Sequence, residues 1–221
     1  MRRPLQSRQT RWAVAMASWL TRRRVQPNAI SLASVVFAAL AGACLALTGG
    51  ETPLPRAALL LLSAGTIQLR LVCNLLDGMV AIEGGLKTPS GELFNDVPDR
   101  ISDPLILVGA GCAVAWGLWG PTLGWLAAVL AILTAYVRVL GVSAGTPQYY
   151  LGPMAKQHRM AALTAACVIG ALEASLVQPY TGSAVGIALV VIVVGSTLTV
   201  VRRLRHIAAD LESRAQLPDA Q

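Results

Sequence analysis

Six long apolar stretches, at 30–47, 56–82, 93–119, 123–142, 160–177 and 183–201, constrain this chain more than any other feature of its sequence. Each approaches or exceeds the roughly 20 residues that a helix needs to cross the hydrocarbon core of a bilayer. A backbone in hydrocarbon must satisfy its own hydrogen bonds, so each stretch is expected to be helical. Breakers separate them: Gly49-Gly50, Gly84-Gly85 with Pro89, Gly120-Pro121, the segment from Gly145 to Pro153, and Pro179. Of 221 residues, 55% are hydrophobic and 13% charged, too little charge to cover a soluble domain. That balance excludes a secreted disulfide scaffold and a disordered tail as well. The expected fold is all-α: a polytopic membrane protein of six transmembrane helices behind an N-terminal amphipathic interfacial helix. One membrane domain fills 1–221, with an interfacial helix in 1–28, the bundle in 29–203 and a cytoplasmic tail in 204–221.

The net charge of +7 is unevenly placed. Arg2, Arg3, Arg8, Arg11, Arg22, Arg23 and Arg24 precede the first stretch, and Arg202, Arg203, Arg205 and Arg214 follow the last. Basic residues gather on the cytoplasmic side of short loops, so both termini are expected there, in a bacterial inner membrane. The basic excess reads as topology and contact with anionic lipid, with no nucleic acid as partner. Trp12, Met16, Trp19 and Leu20 recur at helical spacing among arginines, the pattern of a helix lying in the membrane surface, which Pro27 ends. Cys44, Cys73, Cys112 and Cys167 all fall in apolar segments, without a C-x-x-C pair, and are expected to be buried and inert. Small residues, as in Ala41-Gly42 and Gly109-Ala110-Gly111, are expected to let helices approach closely.

Ionisable groups at membrane depth are costly, so a cluster of them marks a functional site. The second stretch ends with Asn74, Asp77 and Gly78, and the third opens with Gly91, Asn95, Asp96, Asp99 and Asp103. Asn74 and Asp77 share one helical face, and Asn95, Asp99 and Asp103 step by four on the next helix. A short turn is expected to make these helices antiparallel neighbours and to bring their oxygens together at the cytoplasmic end. Oxygen ligands without Cys or His suit Mg²⁺ or Mn²⁺. Gly78 and Gly91 leave room for a phosphate or nucleotide against the backbone. Metal, phosphate and close backbone approach together suggest transfer of a phosphoryl-type group.

At these residues the sequence resembles the CDP-alcohol phosphotransferase family, whose pattern is D-x-x-D-G-x-x-A-R, eight residues, then G-x-x-x-D-x-x-x-D. Here Asn74, Asp77, Gly78, Ala81 and Ile82 are followed by residues 83–90 and then by Gly91, Asn95 and Asp99. Spacing agrees throughout; the first and third aspartates are amides, and the arginine is Ile82. The resemblance implies a homodimeric enzyme that moves a phosphatidyl group from CDP-diacylglycerol to an alcohol acceptor, releases CMP and depends on a divalent metal. It implies that Asn74, Asp77, Asn95 and Asp99 hold the metal, with Asp96 as a candidate to restore lost charge. Asp77, Gly78, Ala81 and Gly91 would hold the CDP moiety, and Asp99 would act as base. In members with phosphorylated acceptors, basic residues after the fourth span form an anion pocket; Arg138, Lys156 and Arg159 are the matching candidates here.

Two carboxylates lost to amides leave a second reading, a silent relative that binds CDP-lipid or phospholipid or supports a partner enzyme. A third, solute transport, fits less well, because the cluster lies at one membrane face. Arg70, one turn before Asn74, is expected either to neutralise Asp77 or to supply the charge missing at Ile82. Glu173 is expected to hydrogen-bond within the bundle, and His158 to be solvated.

Overall fold

The computed structural model describes residues 10–50, 55–85, 91–177 and 179–215, without the side chains of Glu83, Glu92, Asn95 and Ala215. Among these residues there are seven helices and no strand: α1 (Arg11–Arg22), α2 (Pro27–Thr48), α3 (Arg56–Glu83), α4 (Gly91–Cys112), α5 (Trp119–Ser143), α6 (Lys156–Leu176) and α7 (Ser183–Ala215). Helices α2, α3, α5, α6 and α7 are long and apolar enough to cross a membrane, as an integral membrane protein requires. Helix α4 is also 22 residues long, but it carries Asp96, Asp99, Arg100 and Asp103. Pro27 opens α2 at a position where its missing N–H costs nothing, which separates α1 from the bundle.

Helices α2 to α7 run alternately up and down and pack side by side in a closed ring, in the order α2, α3, α6, α7, α5, α4 and back to α2. This corrects one expectation: α3 and α4 are not packed neighbours along their length. α2 lies between them, and they meet over only a few residues. The last stretch and the polar tail form one continuous helix of 33 residues.

Where lipid surrounds a bundle, no hydrophobic force drives helix against helix, and close packing must supply the attraction. The glycines do this. A Cβ on Gly42 of α2 would overlap the backbone carbonyl of Leu105 on α4, and one on Gly109 of α4 would overlap that of Gly42. Gly111 of α4 meets Gly120 and Gly124 of α5 in the same way. The interior between these crossings is small and apolar, built from Ala38, Ala41, Leu45, Ile106, Ala110, Ala127, Leu163 and Leu189 among others. Branched aliphatic side chains on the outer faces, such as Leu32, Val36, Ile132 and Val191, are exposed to whatever surrounds the bundle. Of the cysteines, Cys44 and Cys167 are buried, Cys73 is half-buried and Cys112 is exposed, so burial of all four does not hold.

The two ends of the ring differ. At one end, Arg56 donates to the carbonyls of Thr48 (3.0 Å) and Gly50 (3.1 Å), satisfying the C-terminus of α2. Glu173 accepts from the Thr181 hydroxyl (2.9 Å) and from the backbone N–H of Ser183 (3.0 Å) and Ala184 (3.1 Å). It thereby caps the first turn of α7 from a distance, within the bundle as expected. The opposite end gathers the charged residues. Helix α1 packs there through Ala13 and Ala17, in a cluster with Ile30 of α2 and Leu75, Leu76, Met79 and Val80 of α3.

The α2–α4 crossing has no slack for a side chain. Gly42→Leu and Gly109→Leu should each destabilise the purified protein by about 1–3 kcal/mol or more. Gly65→Leu, where a Cβ meets nothing within 4 Å, should unfold at the wild-type temperature, as read by thermal denaturation in detergent.

Candidate functional site

Steps of four and three along the second half of α3 put Arg70, Asn74 and Asp77 on one face, and a step of four on α4 aligns Asp99 with Asp103. At the charged end these two faces meet. Arg70 has no exposed surface, and its Nη2 donates to both Asp99 Oδ1 (3.0 Å) and Asp103 Oδ1 (2.7 Å). Asn74 Nδ2 donates to the same Asp99 oxygen at 2.8 Å. From α6, Lys156 reaches the other oxygen of Asp99, and Arg159 Nη2 donates to Asp103 Oδ2 at 2.8 Å. Arg70 therefore pairs with the carboxylates of α4, not with Asp77 on its own helix. Asp77 is buried behind α2, where the Ser31 hydroxyl donates to its Oδ2 at 2.7 Å and its Oδ1 accepts from the N–H of Gly78. Asp96 faces another way and is held by Arg100 (2.7 Å) and Arg138 (3.4 Å).

A polar cavity of about 500 Å³ opens between these helices, α5 and the C-terminal half of α7. Asn74, Asp96 and Asp99 line it, together with five cations: Arg100, Arg138, Lys156, Arg159 and Arg203. Arg138, which a mid-span position leaves in need of partners, has the Asp96 carboxylate and lies over the Tyr150 ring at 5.7 Å. Arg203 donates to the carbonyls of Leu151 (2.8 Å) and Thr134 and so braces the cavity wall. In the sequence Arg203 reads as one of several flanking arginines. Ser196, Thr199 and Arg203 nevertheless fall on one face of α7, and that polar stripe within an apolar helix was the available signal.

The expected site residues thus divide. Asn74, Asp96, Asp99, Arg138, Lys156 and Arg159 share the cavity. Asp77, Gly78, Ala81 and Gly91 lie outside its lining; residues 86–90 and the Asn95 side chain fall outside the described residues. His158 is exposed, with Nδ1 2.7 Å from the Pro153 carbonyl.

Oxygen donors without sulfur or imidazole have the right chemistry for a hard divalent cation. Their charge is another matter. Asp96, Asp99 and Asp103 each contact two cationic side chains, and Asp77 is held by neutral donors alone. Among the described residues, no group of three or more His, Cys, Asp or Glu is placed to hold an ion. The donor chemistry fits an ion at Asp77, which, among the described residues, is the one of these four carboxylates that no cationic side chain contacts; it does not fit a cage of converging carboxylates.

Beside the polar cavity runs an apolar groove of about 790 Å³ between α1, α2 and α3, lined by Met16, Trp19, Ile30, Ala33, Leu69 and Cys73 among others. Trp12 and Val72 belong to both spaces, so polar cavity and apolar groove adjoin.

No protein-family model matches the chain, and no curated protein matches it. Solved structures do share its fold. They are of Mycobacterium tuberculosis phosphatidylinositol phosphate synthase. The form with CDP-DAG bound superposes with a TM-score of 0.70 and 20% identity, over 90% of this chain and 94% of that one. The complex with manganese and citrate gives 0.69 at 20% identity, over 88% of each chain. The apo form gives 0.65 at 20% identity, over 86% of this chain and 93% of that one.

Removing one member of a buried ion network leaves the others charged without partners, at about 3–5 kcal/mol. Arg70→Met should therefore cost stability of that order in chemical or thermal unfolding. Arg100→Met, whose ion pair with Asp96 is half-exposed, should cost under about 1 kcal/mol.

Proposed function

We propose that the chain is a CDP-alcohol phosphotransferase, which moves a phosphatidyl group from CDP-diacylglycerol to an alcohol and releases CMP. One observation carries this reading: Asn74 and Asp99, two members of the spaced motif, line a single cation-rich cavity in a fold shared with a phosphatidylinositol phosphate synthase over 90% of the chain. The N-terminal placement of arginines supports an inner-membrane protein with both termini cytoplasmic, α4 as the sixth span and α1 lying in the interface with Trp12, Met16 and Trp19 toward lipid. A homodimer belongs to the same reading.

Asp77, Gly78, Ala81 and Gly91 take the cytidine and pyrophosphate of the donor, with the two glycines allowing the backbone close to the phosphates. Asn74, Asp77 and the motif's other polar groups, Asn95, Asp96 and Asp99, are the oxygen donors available to Mg²⁺ or Mn²⁺. When bound, such an ion neutralises pyrophosphate charge and eases departure of CMP. Asp99 takes the proton from the acceptor hydroxyl as that oxygen attacks the lipid-side phosphorus. Its Oδ2 accepts from Lys156 alone and keeps a lone pair for that proton. Arg70 and Asn74 hold the opposite oxygen and so aim the carboxylate. Five cations against two carboxylates in the cavity lining favour an anionic acceptor, a phosphorylated polyol, held by Arg138, Lys156 and Arg159. The apolar groove that adjoins the cavity gives the donor's acyl chains a place beside the reacting phosphate.

The test is CMP release by the purified protein supplied with CDP-diacylglycerol, Mg²⁺ or Mn²⁺ and a panel of free and phosphorylated polyols. Asp99→Asn should lower the rate by about 10²–10⁴, the usual worth of a positioned base. If wild type and variant both release no CMP with any acceptor, the transferase reading fails.

Acceptor charge can be tested separately. Arg138→Ala should raise KM for a phosphorylated acceptor by roughly ten- to a hundredfold, the worth of one charged hydrogen bond. KM for CDP-diacylglycerol should change little, and steady-state kinetics with each substrate varied in turn separates the two.

A further inference from the structure

The motif that resembles a two-carboxylate-per-helix metal site carries one carboxylate and one amide on each helix, and the neighbours of those groups are informative. Asp99 contacts Arg70, Asn74 and Lys156, so one negative charge faces two positive ones. A carboxylate oxygen can only accept, so the Asn74 group facing Asp99 must be the amide NH₂. An aspartate at position 74 would present a second anion there, and nothing but a cation between the two could hold them together. The amide makes that contact without an ion, and Lys156 closes the other side of Asp99. Asp77 differs. Among the described residues its contacts, the Ser31 hydroxyl and the Gly78 N–H, carry no charge, so no cation touches it. Asn74, three residues earlier on the same helix face, commits its NH₂ to Asp99 and has its carbonyl oxygen as the remaining side-chain acceptor.

We propose that this site takes a single divalent ion, held by Asp77, and that Lys156 and the Asn74 amide do for Asp99 what a second ion would otherwise do. The proposal rests on the transferase reading for its substrate but concerns only the chain's own charges. Lys156 is part-exposed at the cavity, so the ammonium that balances Asp99 is also within reach of an anion arriving there. One internal cation thereby serves as fixed counter-charge at the base and as a contact for the acceptor.

The experiment is a Mn²⁺ titration of the full-length protein in nanodiscs, with CDP as a soluble head-group probe, read by electron paramagnetic resonance. Wild type should bind one Mn²⁺ per chain and give the six-line spectrum of an isolated ion. Asp77→Asn should weaken binding at least tenfold. Asn74→Asp with Lys156→Gln should admit a second ion and broaden the spectrum through coupling between the two. Lys156→Gln alone should keep the wild-type count. Two coupled ions in wild type would overturn the proposal, as would no bound ion or unchanged binding in Asp77→Asn; these outcomes need no refolded variant beyond the last. CMP release is measured on the same samples. One bound ion without CMP from any acceptor removes the transferase reading and leaves the count standing. CMP release with two coupled ions does the reverse.

Discussion

A guanidinium without solvent contact, inside a bundle whose outer faces are hydrocarbon-like, can exist only if its charge is matched at hydrogen-bond distance. Arg70 meets that condition through Asp99 and Asp103, and the requirement propagates. Asp103 needs a second cation to balance its buried oxygens and finds Arg159 on α6. Asp99 draws in Lys156 one turn earlier on the same helix. Helices α3, α4 and α6 are thus tied at one level of the ring. The link is needed there, because the glycine crossings Gly42–Gly109 and Gly111–Gly124 join α2, α4 and α5 and leave α3 and α6 to other means.

The two ends of the ring solve the same problem for opposite purposes. Away from the site, Arg56 and Glu173 spend their charge on helix termini, where backbone carbonyls and N–H groups absorb it. Nothing is left over for a ligand. At the site, charges face one another across a cavity, with cations in excess of carboxylates in the lining. A space rimmed by such charge, next to an apolar groove, suits the ionic head and hydrocarbon tails of the proposed substrate.

Much of this was legible in the sequence, because helical spacing and membrane cost are local rules. The long apolar stretches marked the helices, Pro27 marked the break before α2, and the polar run from Asn74 to Asp103 marked the end of the bundle where the charges converge. The partnerships were not legible. Arg70 reads equally well as a mate for Asp77, two turns further along the same helical face, and only the ring order sends it to α4. That order is invisible to periodicity, since an alanine facing lipid and one facing a neighbouring helix look alike. The wedge of α2 between α3 and α4 was missed for the same reason. Arg203 was hidden by company: among Arg202, Arg205 and the terminal basic residues it looks like topology, whereas its guanidinium reaches back to Leu151 and Thr134.

Helix α7, at 33 residues, is about 50 Å long at 1.5 Å per residue, well beyond a hydrocarbon core of about 30 Å. Its surplus grips the segment before α6: Asp210 accepts from the Tyr149 hydroxyl at 2.8 Å, and Arg214 donates to the Gly145 carbonyl at 2.7 Å. That segment carries Tyr150 and leads into Lys156. The floor of the cavity is therefore set by ion pairs sealed from water, and its rim by contacts that ordinary electrolyte can screen. Floor and rim answer to different solvents, so ionic strength in the aqueous phase can loosen the entrance while the interior keeps its geometry.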